Sequence, residues 1–161
     1  MREYATEDTR YRWLGLLAWL ALVFAASLTS VFVSTDGWYT ELAKPAWNPP
    51  AWIFGPVWTV LYIMMAVAAW RVWLRGGWKE QRVALGLFLA QWALNALWTP
   101  LFFGLYLPGW ALVEILALFV LILLVIRAFW LADRIAGALL VPYAAWVAFA
   151  SVLNFTLWRM N

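Results

Sequence analysis

The sequence contains no cysteine, which excludes disulfides and thiol chemistry. It contains no histidine either. That removes imidazole-built zinc sites, serine–histidine triads and histidine-ligated haem. Charge is sparse: 12% of the 161 residues are charged, and the formal net charge is +3. The basic residues are scattered beside apolar runs rather than gathered into a patch, so nucleic acid is not an expected partner. No low-complexity tract is present, and no conventional acid, base or metal constellation stands out.

What fills the chain is apolar. Hydrophobic residues make up 67% of it, with a mean hydropathy of +0.81. A soluble domain of this size cannot hide that much apolar surface, so the expected solvent is lipid and the expected fold is one integral membrane domain. Fifteen tryptophans exceed what anchoring at two membrane interfaces requires.

Residues 1–12 are polar and of mixed charge and read as a short tail. Residues 13–33 are apolar throughout, and at about 1.5 Å per residue they reach across a hydrocarbon core of roughly 30 Å. A cleaved signal peptide is the rival reading, but the run exceeds a usual signal core and four more spans follow. Those spans are read at 51–74, 80–103, 110–130 and 133–158. Gly76-Gly77 and Leu107-Pro108-Gly109 predict tight turns, and Pro142 predicts a kink inside the fifth span. The expected fold is therefore an all-α membrane protein, a bundle of five transmembrane helices over residues 13–161. Five helices do not divide into two inverted halves, which argues against a standard secondary transporter. Nine basic residues (Arg2, Arg10, Arg12, Arg71, Arg75, Lys79, Arg82, Arg127, Arg134) fall on one side, against Lys44 and Arg159 on the other. This bias predicts a cytoplasmic amino terminus, with the first loop and carboxyl terminus outside, in a bacterial cell membrane.

The first loop, at about 34–50, leads through Lys44-Pro45 and Trp47-Asn48-Pro49-Pro50 into the second span. Pro50 suits a first-turn position, whose N–H has no helical partner, and Gly55-Pro56 loosens the next turn. Two prolines flanked by tryptophans suggest a lid over the helices. On the third span Gln91, Asn95 and Thr99 share a face that must look inward. Helix–helix glue is the simpler reading for Gln91, whereas for Asn95, beside Trp92 and Trp98, ligand contact is equally expected. Trp58, Tyr62 and Met65 share a face of the second span, as do Trp146, Ala150 and Asn154 of the fifth, with Tyr143 one turn earlier. Such stripes are more often packing, but indoles away from the interfaces offer stacking surface to a flat apolar ligand. Trp70, Trp73 and Trp78 beside Arg71, Arg75 and Lys79 read as an interfacial belt with no further role. Trp13, Trp130 and Trp158 read the same way. Glu114 is expected to be solvated near the interface or paired with a loop group. Gly86 and Ala90 form a small-xxx-small ridge suited to a homodimer contact.

The motifs Lys44-Pro45-Ala46-Trp47-Asn48-Pro49-Pro50, Gly55-Pro56-Val57-Trp58, Ala93-Leu94-Asn95, Trp98-Thr99-Pro100-Leu101-Phe102-Phe103-Gly104, Gly109-Trp110-Ala111-Leu112 and Val141-Pro142-Tyr143 occur in that order. With Trp146, Leu153 and Asn154, this pattern resembles the tryptophan-rich sensory protein/translocator protein family, formerly the peripheral-type benzodiazepine receptor. The resemblance covers nearly the whole chain after the first helix. It implies a five-helix bundle, commonly dimeric, that binds porphyrins and other flat apolar ligands beneath the first loop. It implies pocket positions at Trp58, Asn95, Trp98, Trp110, Trp146, Ala150 and Leu153, with Trp47 closing the pocket. It further implies that Trp58 and Trp146 match tryptophans implicated in light-dependent porphyrin breakdown. Phe155 stands where the animal cholesterol motif has tyrosine, so a cholesterol transporter is not implied. The expected role is a porphyrin receptor or carrier in tetrapyrrole handling or stress sensing, with no cofactor. The alternatives are a light-dependent porphyrin-degrading enzyme and a scaffold acting through a protein partner.

Overall fold

The computed structural model describes residues 2–33 and 37–161, and for residues 2–9 and Phe32 it describes the backbone alone. Positions 34–36 of the expected loop, and Met1, lie outside the described residues. Five segments, Arg10–Val31, Ala51–Trp73, Gly77–Gly104, Pro108–Ala132 and Arg134–Met160, are long and apolar enough to cross a membrane. The protein is a multi-pass, all-α membrane protein.

Helix α1 spans Arg2–Ala25, so the backbone of the polar stretch at 2–12 is helical and continuous with the first span. It tightens into a 3₁₀ segment over Ala26–Phe32. The cause is local: Ser27 Oγ donates to the Phe24 carbonyl at 2.6 Å, and Ser30 Oγ to the Ser27 carbonyl at 2.6 Å. Hydroxyls bonding three residues back favour the tighter turn. A short helix at Trp38–Glu41 follows Gly37, whose φ of 89° is open to glycine.

Helix α2 spans Ala51–Trp73. Pro50 is its N-cap rather than a first-turn residue, and Pro56 lies inside the helix. The Gly55 carbonyl accepts from Thr59 Oγ1 at 2.9 Å. Gly76 and Gly77 both have positive φ, 109° and 60°, which makes the sharp turn into α3. Helix α3 spans Gly77–Thr99 and widens into a π-helical turn over Pro100–Gly104. The Leu105 N–H donates to the Pro100 carbonyl at 2.9 Å, which closes that turn. Proline lacks the N–H for an α-helical bond, and a wide turn accommodates the loss.

Helix α4 spans Pro108–Ala132, with Pro108 at its start. A six-residue helix, Arg134–Leu139, then turns at Leu140 into α5, Val141–Met160. Pro142 therefore lies in the first turn of α5 and does not kink the span from inside, because its missing N–H is one that no carbonyl requires.

The bundle packs α1 on α2, α2 on α3, α3 on α4 and α4 on α5. Small residues let the backbones close up: Ala66, Ala68 and Ala69 of α2 are buried. Phe88 and Phe129 stack at 5.6 Å across α3 and α4, and Trp19 of α1 meets Phe88 edge-on at 5.7 Å. Leucines, valines and tryptophans cover the outside, as a lipid-facing surface demands.

Candidate functional site

A cavity of about 370 Å³ lies between the helices. Phe54, Trp58 and Tyr62 line it from α2, spaced four residues apart and hence on one face. Asn95 and Trp98 face them from α3, Ile115 and Leu118 from α4, and Trp146 and Ala150 from α5. Phe24, Ser27 and Ser30, at the end of α1 and in its 3₁₀ extension, close the remaining side.

The aromatic rings brace one another. Trp58 lies 5.3 Å from Tyr62 and 6.3 Å from Tyr143. Phe54 meets Trp146 edge-on at 5.8 Å. Trp98 stacks on Phe102 of the π turn at 5.0 Å. Each such pair contributes about 0.5–1.5 kcal/mol beyond its buried area, so the walls are stiff.

Behind the wall runs a chain of hydrogen bonds. Tyr62 Oη donates to Asn95 Oδ1 at 3.0 Å. Asn95 Nδ2 donates to Tyr143 Oη at 3.1 Å, and Tyr143 Oη donates to Gln91 Oε1 at 2.9 Å. Gln91 thus bonds between helices, as expected, while Asn95 does this and also lines the cavity. Nearer the loop, Trp98 Nε1 donates to Asn154 Oδ1 at 3.1 Å, and Asn154 Nδ2 donates to the Pro108 carbonyl at 2.8 Å. Glu114 departs from expectation. It faces inward, 8% exposed, and neither carboxylate oxygen has a hydrogen-bond partner among the described residues.

Six of the nine residues expected from the sequence meet at the cavity: Trp58, Tyr62, Asn95, Trp98, Trp146 and Ala150. Three do not. Trp110 is 67% exposed and lines a separate outward hollow with Tyr106, Val113 and Trp158. The reason is helical phase. Ala111, Glu114, Ile115 and Leu118 form the inward stripe of α4, which turns the preceding residue outward. Leu153 is buried in a separate cluster with Phe102, Ala111 and Leu157. Trp47 is 47% exposed and touches Phe149 edge-on at 6.0 Å; Phe149 in turn meets Trp146 at 5.4 Å. It is not part of the cavity wall. Phe54 is missing from the sequence expectation, although its place one turn before Trp58 was a readable signal. Phe24 and Ser27 had no such signal, since nothing in 13–33 marks one face as special.

The loop is fastened at several points. Lys44 Nζ donates to the Tyr39 carbonyl at 2.6 Å and to the Thr40 and Leu42 carbonyls at 3.3 Å. It also lies 4.6 Å over the Tyr39 ring. Burial pushes the Tyr39 phenol up, opposed by its hydrogen bond to Asn48. Trp38 and Tyr39 pack on Phe102 and Phe103 of the π turn at 5.7 Å and 5.2 Å. Asn161 ties the loop to the end of α5: its side chain accepts from the Ala43 N–H at 2.9 Å and donates to the Ala43 carbonyl at 3.1 Å.

At the opposite end of the bundle, Arg71 and Arg75 do more than form an interfacial belt. Both reach the buried Asp133 carboxylate, Arg71 with Nε at 3.2 Å and Nη2 at 2.9 Å, Arg75 with Nη2 at 2.8 Å. Asp133 also caps the short helix by accepting from the Ala136 N–H at 3.0 Å. Burial works against this carboxylate, but the two arginines and the cap outweigh it and hold it well below the usual range.

The cavity offers flat stacking surface and a few hydrogen-bonding groups, and no charged side chain lines it among the described residues. Such a site suits a planar, mostly apolar molecule.

Comparison with known proteins places this architecture. The chain matches the TspO/MBR family over residues 16–159. It is 46% identical to the tryptophan-rich protein TspO of Chlorobaculum tepidum over 88% of this chain and 90% of that one. It is 43% identical to the human translocator protein over 82% of this chain and 80% of that one. It is 40% identical to the tryptophan-rich sensory protein of Cereibacter sphaeroides, with 92% of each chain covered. On a match spanning nearly all of its helical bundle, this chain belongs to the TspO/MBR family.

Proposed function

We propose that this protein is a membrane receptor or carrier that takes porphyrins and related flat apolar ligands into the cavity between its helices. The observation that carries the reading is the cavity wall, where Trp58, Trp98 and Trp146 converge from three different helices with Phe54 beside them. Three indoles stacking on a macrocycle supply about 1.5–4.5 kcal/mol beyond burial, from about 0.5–1.5 kcal/mol each. Tyr62 and Asn95 add hydrogen bonds that fix orientation. No side chain in the wall would ligate a metal strongly, so the ligand is gripped by its faces and edges. The amino terminus and the basic end around Arg71, Arg75 and Arg134 face the cytoplasm on this reading. Gly86 and Ala90 form the contact of a homodimer: a Cβ on Gly86 would meet nothing within 4 Å in the single chain, so that face is free to take a neighbour.

The test is a dark titration of the purified protein in detergent with protoporphyrin, followed by tryptophan fluorescence. Saturable quenching is expected, with affinity falling about tenfold or more in the Trp58→Phe, Trp146→Phe double variant, the loss of about 1.4 kcal/mol or more of stacking. Linear quenching that ignores the double substitution means partition into detergent and sinks the reading.

A second reading is light-dependent breakdown of the bound porphyrin. Trp58 and Trp146 both touch the cavity, and an indole there can give an electron to a photoexcited ligand. Product that forms equally in the double variant would reduce this to ordinary photobleaching.

A further inference from the structure

The hydrogen bonds behind the cavity all run one way. Tyr62 donates to Asn95, Asn95 to Tyr143, and Tyr143 to Gln91. The chain begins at the cavity wall and ends on the Gln91 amide nitrogen, a buried donor with no acceptor among the described residues. On the neighbouring α4, both Glu114 oxygens are buried acceptors with no donor among the described residues. The two sit within about one helical turn of each other in depth. The α3–α4 turn pairs the Leu107 N–H with the Leu101 carbonyl at 3.1 Å, and Gln91 and Glu114 lie about ten and seven residues inward from those points, at about 1.5 Å each. Ile115, next to Glu114, lines the cavity together with Asn95. Tyr143, which bonds Gln91, belongs to the same buried cluster as Ile115, the residue next to Glu114. An ionisable side chain inside a membrane bundle is costly and calls for a functional account.

We propose that Glu114 is the terminus of this chain, linked to the Gln91 amide nitrogen directly or through one water, and that its protonation state sets the hydrogen-bond polarity that Tyr62 presents to the ligand. The proposal rests on the porphyrin-type reading of the cavity and adds its regulation. With Glu114 ionised, the carboxylate accepts from Gln91, each donor in the chain is polarised toward it, and the Tyr62 oxygen becomes a better acceptor. A ligand N–H or O–H is then favoured at the wall. With Glu114 protonated, its own O–H needs an acceptor. The Gln91 amide turns its oxygen to it and its NH2 to Tyr143; Tyr143 then donates to Asn95, whose amide turns likewise, and Tyr62 loses its acceptor and is freed to donate. A ligand carbonyl is then favoured. The proton itself is exchanged with water.

Few other groups can compete for this role. The α3 side offers Gln91 and Asn95, which do not titrate, while its charged residues Lys79, Glu80 and Arg82 lie at the far end of the helix. From α5 the facing group is Tyr143, with Arg159 in the last turn. From α2 it is Tyr62, acting through Asn95. The π turn holds no titratable residue. On α4 itself Arg127 is exposed and more than three turns away, and the short helix beyond it brings Arg134 and Asp133, the latter bonded to Arg71 and Arg75, at that same far end.

The test uses the full chain in detergent, in the dark, with protoporphyrin dimethyl ester, whose side chains carry no ionisable carboxyl. The dissociation constant is measured from about pH 5 to about pH 9 for wild type, Glu114→Gln and Tyr143→Phe. Wild-type affinity is expected to change about tenfold over that range, and to stay within about twofold in Glu114→Gln and in Tyr143→Phe. A wild-type profile retained in Glu114→Gln, or a flat wild-type profile, overturns the proposal. Infrared difference spectra give a second readout. The protonated-carboxyl band absent from Glu114→Gln should shift in Tyr143→Phe and in Tyr62→Phe. If the ester binds at no pH, the porphyrin reading fails separately. The chain is then judged by that band, and a band indifferent to both tyrosines overturns it.

Discussion

Replacing Asp133 by asparagine tests how the short helix between α4 and α5 is joined to α2. The side chain is 3% exposed and takes three hydrogen bonds from two arginines, plus one from the Ala136 N–H. Removing one partner of a fully buried ion pair costs about 3–5 kcal/mol. Here the guanidiniums can rehydrate, since the Arg71 side chain is 29% exposed and that of Arg75 57%. Asparagine also keeps an acceptor for the cap. The expected loss is therefore about 2 kcal/mol, which lowers the melting temperature by about 4–8 °C for a chain of this size. Intrinsic tryptophan fluorescence during thermal unfolding in detergent reads it. The pH dependence has a definite sign. The folded carboxyl is held below its unfolded value, so its stabilisation is complete above about pH 4 and fades as pH falls below that. The gap between wild type and Asp133→Asn should be constant from about pH 5 to about pH 8 and shrink below about pH 4. An equal gap at about pH 3, or no gap at neutral pH, would refute the ion-pair account.

Gly137→Ala should destabilise strongly, by about 2–3 kcal/mol, because its Cβ would lie 2.9 Å from the backbone nitrogen and Cα of Trp130, atoms that cannot yield. Gly86→Leu should leave the monomer folded and shift the particle from dimer to monomer in light scattering, since that face is open in the single chain. Asn154→Ala should cost about 1–3 kcal/mol in thermal unfolding by stranding the Trp98 indole N–H and the Pro108 carbonyl. It should also weaken porphyrin binding a few-fold through a looser Trp98, and an unchanged melting temperature would count against the bond.

The five spans were legible because membrane helices need length and apolarity, and those are composition read along a line. Gly76-Gly77 and Leu107-Pro108-Gly109 were legible because their backbone demands are local. The face of α2 that carries Trp58 and Tyr62 followed from helical spacing alone. Azimuth was harder. Trp110 sits one residue before the inward stripe of α4, and nothing in an almost uniformly apolar helix shows which stripe faces in. The inward turn of Glu114 was missed for the same reason. Asp133 was missed because its partners lie 62 and 58 residues away, on Arg71 and Arg75. The four-residue spacing of those arginines, opposite a lone acid at a helix start, was the available hint. Pro142 was misplaced because the break at Leu140 leaves no mark in hydropathy.

The π turn at Pro100–Gly104 makes the chain unusually tolerant at one point and intolerant on either side of it. An α-helical path through the same length would use fewer residues, so a single-residue deletion inside the turn can be absorbed by tightening it. The same deletion between Asn95 and Thr99 would rotate everything before it by roughly 100° against everything after. Asn95 and Gln91 would then leave Tyr143 while Trp98 kept its place. The turn is thus the register mark of the bundle, where the phase of the half that holds the polar chain is set against the phase of the half that carries the loop.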